Sequence, residues 1–270
     1  MSKYGCLPPK VDVRDYKVKA SAKQAESYPA SFSRPLYGAV KNQRNVSSCV
    51  PHATSTILEN FDFGEHKLST NFIYGMQKTI SGRSEPGMYL SDACKIVQKY
   101  GDMLYEDCKG NTETPKCISP AETALADNTK AETAYKYRID SYYSCDTEND
   151  IKYALLNYGM VLACMKMYES YTIDAAGVMH MDTDSDFGYH CVVIYGWNEN
   201  GFMIQNSWGK TWGLLGYAVL PYEDHLIVEA KALIDAEPVE DPNLVRPINN
   251  KVFNVIYKLI NRLIEYFKKK

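Results

Sequence analysis

The chain divides by the rhythm of its apolar positions. After Cys49, residues Val50, Ala53, Ile57, Leu58 and Phe61 recur close to the i, i+3, i+4, i+7 spacing of a helix with one buried face. Pro51 falls in the first turn, where the N–H it lacks has no intrahelical partner anyway. A second helix starts within Leu68–Tyr74, with Ser69 or Thr70 as its cap. Gly82 to Gly87 reads as a loop. A third helix follows, with Ser91 as cap, Ala93, Ile96, Val97 and Tyr100 on one face, and Gly101 as terminator. The period then changes. Tyr135–Ile139 alternates like a strand, and Thr147-Glu148-Asn149-Asp150 is a capping box ahead of a short helix through Ile151, Ala154, Leu155 and Tyr158 that Gly159 stops. Val161–Met167, Tyr189–Tyr195, Phe202–Gln205 and Tyr217–Leu220 read as strands. Helices first and strands afterwards predict an α+β fold.

Both ends depart from this pattern. Residues 1–28 form an extended polar lead-in without helical period, Ala/Lys/Ser-rich from Lys17 to Ser27. Residues 237–250 are a Pro/Asn/acidic linker in which Pro238, Pro242 and Pro247 preclude a continuous helix. On residues 251–270 Val252, Val255, Ile256, Leu259, Ile260, Leu263, Ile264, Tyr266 and Phe267 share one broad helical face, opposite Asn254, Lys258, Asn261, Arg262 and Glu265. Six basic residues and one acidic residue make this a basic amphipathic helix. It can dock on the protein's own acidic surface, lie on an anionic membrane or bind a partner protein.

Bulk properties narrow the class. With 270 residues, 45% of them apolar, and a net charge of −3, the chain has enough material for one large domain or two small ones. It lacks the basic excess expected of a nucleic-acid binder. No run has signal-peptide or transmembrane length, so cytoplasmic residence is the default expectation, with a virion or a dedicated export system as alternatives. The eight cysteines, Cys6, Cys49, Cys94, Cys108, Cys117, Cys145, Cys164 and Cys191, show neither CxxC nor metal-finger spacing. Reduced thiols and no metal or other cofactor are expected, with Cys108 and Cys117 as one optional disulfide.

Candidate chemistry centres on Cys49. At a helix N-terminus, unpaired amides and the positive end of the dipole favour a thiolate, the nucleophilic form. A lone cysteine there is more often a small buried apolar residue. The balance shifts because His190 opens an apolar run, Asn206 follows in Gln205-Asn206-Ser207-Trp208-Gly209, and Gln43 precedes the cysteine by six residues. Trp212-Gly213 and Gly216-Tyr217 complete the pattern. In order, context and spacing, residues 29–235 resemble the papain-like cysteine peptidases, most closely their bacterial and viral branch. The lead-in Val11-Asp12-Val13-Arg14-Asp15-Tyr16 resembles the N-terminal segment of that branch.

The resemblance implies a two-lobed fold: a mainly helical lobe (29–125), a mainly β, barrel-like lobe (126–236), and an active site in the cleft between them. It implies Cys49 as nucleophile, His190 as its acid–base partner, Asn206 as the group orienting the imidazole, and Gln43 as an oxyanion donor beside the Cys49 N–H. Trp208 would shield the His–Asn contact, and Met88 and Tyr89 would line the main apolar subsite. A polypeptide is the implied substrate. There is no room for the long inhibitory propeptide many relatives carry, so residues 1–28 are expected either to lie on the surface or to cover part of the cleft. Three departures stand out. Arg44 replaces the usual glycine after the glutamine, Val50 replaces the aromatic after the nucleophile, and a family disulfide would fall at Val46 and near Glu85, neither of which is cysteine. His52, three residues after Cys49, should project into packing, and His66, His180 and His225 read as surface or core residues. A thiol endopeptidase leads; a Cys–His transamidase or isopeptidase and a silent binding module are the alternatives.

Overall fold

The computed structural model describes residues 4–10, 15–109, 118–223 and 226–236. The linker 237–250, the basic helix 251–270, Cys117 and His225 lie outside the described residues. A short helix α1 (Ala22–Ala25) and strand β1 (Phe32–Ser33) precede helices α2 (Cys49–Phe61), α3 (Thr70–Gly75), α4 (Gln77–Ser81), α5 (Leu90–Lys99), α6 (Ile118–Ala126) and α7 (Asn128–Tyr135). Strands then dominate: β2 (Ile139–Ser144), helix α8 (Glu148–Asn157), β3 (Val161–Tyr168), β4 (Tyr171–Ile173), β5 (Met179–Met181), β6 (Phe187–Asn198), β7 (Gly201–Gln205), β8 (Tyr217–Pro221) and β9 (Ile227–Asp235). Seven strands form one antiparallel sheet in the order β2-β9-β3-β6-β7-β8, with β1 on β6, while β4 and β5 pair separately.

The central strands read as continuous apolar runs because both of their faces are covered. Leu162 and Cys164 of β3, with Cys191 and Val193 of β6, join the core built by α2, α3 and α5. Their alternates Val161, Ala163 and Met165, with Val192 and Ile194, pack into a second core beneath α8. The two-residue period of a strand sorts them. Helix α2 is enclosed in turn: every residue from Cys49 to Glu59 is buried. Thr54 and Thr56 satisfy their hydroxyls on the carbonyls of Val50 and His52, both at 2.9 Å. Buried Glu59 is paired with Lys41 at 2.5 Å and also accepts the Leu68 N–H.

The local signals hold at most boundaries. Ser69 caps α3 by accepting the Phe72 N–H, and the Thr147–Asp150 box caps α8 reciprocally. Gly101, at φ 76°, ends α5 where any β-carbon would strike the Ala134 carbonyl. Two boundaries differ from expectation. Tyr89, in extended conformation, precedes α5, so Ser91 is buried in the first turn instead of capping it. Tyr135 closes a helix rather than opening a strand, because Asp127 caps α7 on the N–H groups of Thr129 and Lys130; the strand starts at Ile139. Among the described residues no helix is long and apolar enough to cross a membrane.

Candidate active site

Strand β6 carries His190, and Asn206 immediately follows β7, its hydrogen-bonded neighbour. Nε2 of His190 lies 2.8 Å from Asn206 Oδ1. The same oxygen accepts the Ser207 N–H at 2.7 Å. A backbone N–H can only donate, so that bond fixes which way the Asn206 amide points. His190 Nε2 must then donate to Asn206, which assigns the tautomer and leaves Nδ1 as the basic nitrogen. Trp208 lies over the imidazole with centroids 4.5 Å apart at 33°, and Trp212 meets Trp208 edge-on at 5.7 Å. His190 is fully buried.

Cys49 is the first residue of α2, and Ser48 provides no side-chain cap for the helix N–H groups. The thiol is fully buried, and burial pushes it up to about 12. Backbone N–H groups of Cys191, Gly5 and Val50 pull the other way without offsetting the lost hydration. Cys191 directly follows His190, so α2 and β6 bring the sulfur and the imidazole-bearing segment together. A depressed thiol is what the sequence predicts here; the structure holds a neutral one instead. The reason is burial, which strips hydration from the charged form.

Residues 4–7 run through the cleft. The Cys6 N–H donates to the Tyr189 carbonyl at 3.2 Å, the Leu7 N–H to Met88 at 3.0 Å, and the Met88 N–H to the Gly5 carbonyl at 2.9 Å. Cys6 thereby forms a parallel bridge with Met88. Tyr4 packs near His190 and Trp208, at 6.5 and 6.3 Å between centroids. Gly5 touches the Ser47 backbone so closely that any β-carbon would collide with it. Cys6 Sγ lies 2.7 Å from Cys164 Sγ, and the seven described cysteines are all free. Further along, the segment is anchored by Asp15 on buried Lys231 at 2.5 Å and by the Val18 N–H on the Ser144 carbonyl at 2.8 Å. Of the two placements expected for the lead-in, residues 4–7 take the cleft. An isolated Gly-Cys pair in a polar lead-in was the available signal.

Gln43 is buried and held on three sides. Its N–H donates to the Ser207 carbonyl at 2.8 Å, its Oε1 accepts the Ser207 hydroxyl at 2.6 Å, and its Nε2 donates to the Val46 carbonyl at 2.8 Å. Ser207 therefore ties Gln43 to Asn206, a role the sequence reading missed. Met88 is fully buried against the cleft segment, and Tyr89, half-buried, lies under Lys10 and Arg83. His52 is buried with Nδ1 2.7 Å from the Ser48 carbonyl, and burial lowers it to about 4, away from any base role near neutrality. His66 and His180 are exposed beside Asp62 and Asp174.

The sequence profile of the papain family cysteine proteases matches residues 32–234. An uncharacterized peptidase C1-like protein of Acanthamoeba polyphaga mimivirus is 28% identical over 207 residues, which cover 67% of this chain and 64% of the viral one. Cathepsin B-like cysteine proteinase 1 of Haemonchus contortus is 29% identical over 120 residues, 43% of this chain and 34% of its own length. The match thus spans less than two thirds of either relative. Among solved structures, xylellain, a cysteine protease from Xylella fastidiosa, superposes with a TM-score of 0.74 at 22% identity, covering 87% of this chain and 97% of its own. A procathepsin B from Trypanosoma congolense does so at 0.66 and 19%, covering 87% of each. The two solved structures agree with the two-lobed α+β architecture, and the family profile over residues 32–234 shows that this chain belongs to the papain family of cysteine proteases.

Proposed function

We propose that the chain is a thiol endopeptidase whose cleft is covered by its own residues 4–7. In this reading residues 29–125 supply the nucleophile and the oxyanion donors, and residues 126–236 supply the acid–base pair. The observation that carries it is the His190–Asn206 contact, whose tautomer presents a basic Nδ1 on the strand that meets Cys49.

Once the cover is displaced, water and charge reach the sulfur and the Cys49 proton passes to His190 Nδ1. The resulting thiolate attacks the peptide carbonyl, and the oxyanion takes N–H donors from Cys49 and the Gln43 side chain. Imidazolium protonates the departing amine, leaving a thioester. His190 then takes a proton from water, hydroxide adds to the thioester carbonyl, and the thiolate leaves. In this reading, following the family resemblance, the amine departs on the Trp208 side and the acyl portion lies toward Met88. A substrate runs from Met88 to Trp208. Residues 4–7 run the other way, Tyr4 at Trp208 and Leu7 at Met88, an orientation that presents no correctly aligned bond to the sulfur.

The deciding experiment compares hydrolysis of a peptide library by wild type and Cys49→Ala after limited proteolysis of the N-terminal segment. Cleavage by wild type alone is expected; equal or absent cleavage rejects the proposal. Amide products formed with added amine acceptors would reassign the enzyme as a transferase.

A further inference from the structure

Arg44 stands at φ 55°, in the left-handed region that glycine enters freely and a residue with a β-carbon enters only at a cost. Asn42 holds it there by accepting the Arg44 N–H on Oδ1 at 2.8 Å. A glycine would satisfy this backbone shape with less strain. The long cationic side chain is therefore an addition that the local geometry does not ask for. It lines a recess of about 350 Å³ whose other walls include Asn42, Asn45, Tyr171, Trp208 and Trp212. Trp212 Nε1 donates to the Tyr171 hydroxyl at 3.0 Å, so two of the walls brace each other.

Three observations define what fits. No acidic residue lines the recess, and among the described residues no carboxylate pairs with the exposed Arg44. Aromatic walls beside a guanidinium strengthen its attraction for an anion relative to open water. The recess includes Trp208, which covers His190, and in the peptidase reading above the departing amine portion of a substrate emerges on that side. Among the described residues of the N-terminal segment, none of 4–10 lines it.

We propose that Arg44 makes the enzyme selective for a peptide carrying a carboxylate within the first residues after the scissile bond, bound against the Trp208–Trp212 wall. The carboxylate is either an Asp or Glu side chain or the peptide's own C-terminus. This inference rests on the peptidase reading above.

The test uses the full chain after cleavage of its N-terminal segment, and two peptide sets. One varies Asp, Glu, Asn, Gln and Lys at the first two positions after the cleaved bond, with amidated C-termini. The other holds these neutral and compares a free C-terminus two residues beyond the bond with an amidated one. Acidic peptides should exceed their amide counterparts in kcat/KM by about 3- to 10-fold, the advantage shrinking as salt rises. Arg44→Gly and Arg44→Gln should bring that ratio to about 1, and Arg44→Glu should invert it toward Lys. A gain confined to the first set identifies the side chain as the ligand; a gain confined to the second identifies the terminus. Equal rates in both sets, or a ratio unmoved by all three variants, overturn the inference while leaving the peptidase intact. If no peptide is cleaved, the peptidase reading falls, and Cys49→Ala binding of fluorescent acidic against neutral peptides judges Arg44 by itself. Equal affinities there overturn it too.

Discussion

The Ser207 hydroxyl donates to Gln43 Oε1 at 2.6 Å, joining positions 164 residues apart in the chain. Its own N–H donates to Asn206. One serine thus orients both the amide proposed to stabilise the oxyanion and the amide proposed to orient the imidazole.

Ser207→Ala keeps the N–H and removes the hydroxyl. The Asn206–His190 bond should survive while Gln43 loses an anchor. Steady-state kinetics should show kcat down by about tenfold with KM nearly unchanged, a fraction of the roughly 10²–10³-fold expected for Gln43→Ala. An equal loss in both variants would mean that Ser207 acts through more than Gln43.

Asn206 accepts from Nε2, so a charged substitute should act on the imidazolium. Asn206→Asp places a carboxylate there and stabilises the protonated ring, shifting the alkaline limb of the pH–rate profile upward. Asn206→Ala should lower kcat/KM at least tenfold, part of the 10²–10⁴ that a positioned acid–base group contributes. An unmoved alkaline limb in the Asp variant would remove His190 as the titrating group.

Burial holds the Cys49 thiol near 12 while residues 4–7 cover it. Alkylation of Cys49 in the intact chain, followed by mass spectrometry, should therefore rise about tenfold per pH unit between about pH 7 and 10, following the thiolate fraction. Gly5→Ala forces a β-carbon onto the Ser47 backbone and should dislodge the segment. The variant should react faster near neutrality, with a flatter profile and higher peptidase activity. Identical profiles would show that the segment does not control the sulfur.

His52 is buried and titrates at about 4, against about 6.5 in an unfolded chain. The unfolded state binds its proton first on acidification. Stability from neutral His52 is thus complete above about 6.5 and is lost as pH falls toward 4, up to about 3 kcal/mol. Denaturant unfolding should show that His52→Gln is less sensitive to acid across this window than wild type. Parallel curves would assign the acid sensitivity to other groups.

The members of the candidate site were legible because they sit in local contexts with their own signatures. Gln43, Cys49, His190 and Asn206 each carry flanking residues that mark a helix start, a strand or a turn. Ser207 was not legible as an anchor, since its partner is 164 positions away and nothing nearby in the chain indicates the contact. The state of the thiol was not legible either. A helix N-terminus lowers a cysteine, but desolvation by burial outweighs it, and desolvation depends on what lies across the sulfur in space.

From the order of residues alone came the α+β plan, the cap at Ser69, the capping box at Thr147, the stops at Gly101 and Gly159, and the residues proposed for the site. These depend on backbone conformation and on side chains within a few positions of one another. Only the tertiary structure decided that Cys6 and Gly5 lie in the cleft, which nitrogen of His190 carries the proton, and that Arg44 opens onto an aromatic recess without an acidic neighbour. Those outcomes are set by burial and by contacts between distant segments, which no local pattern contains.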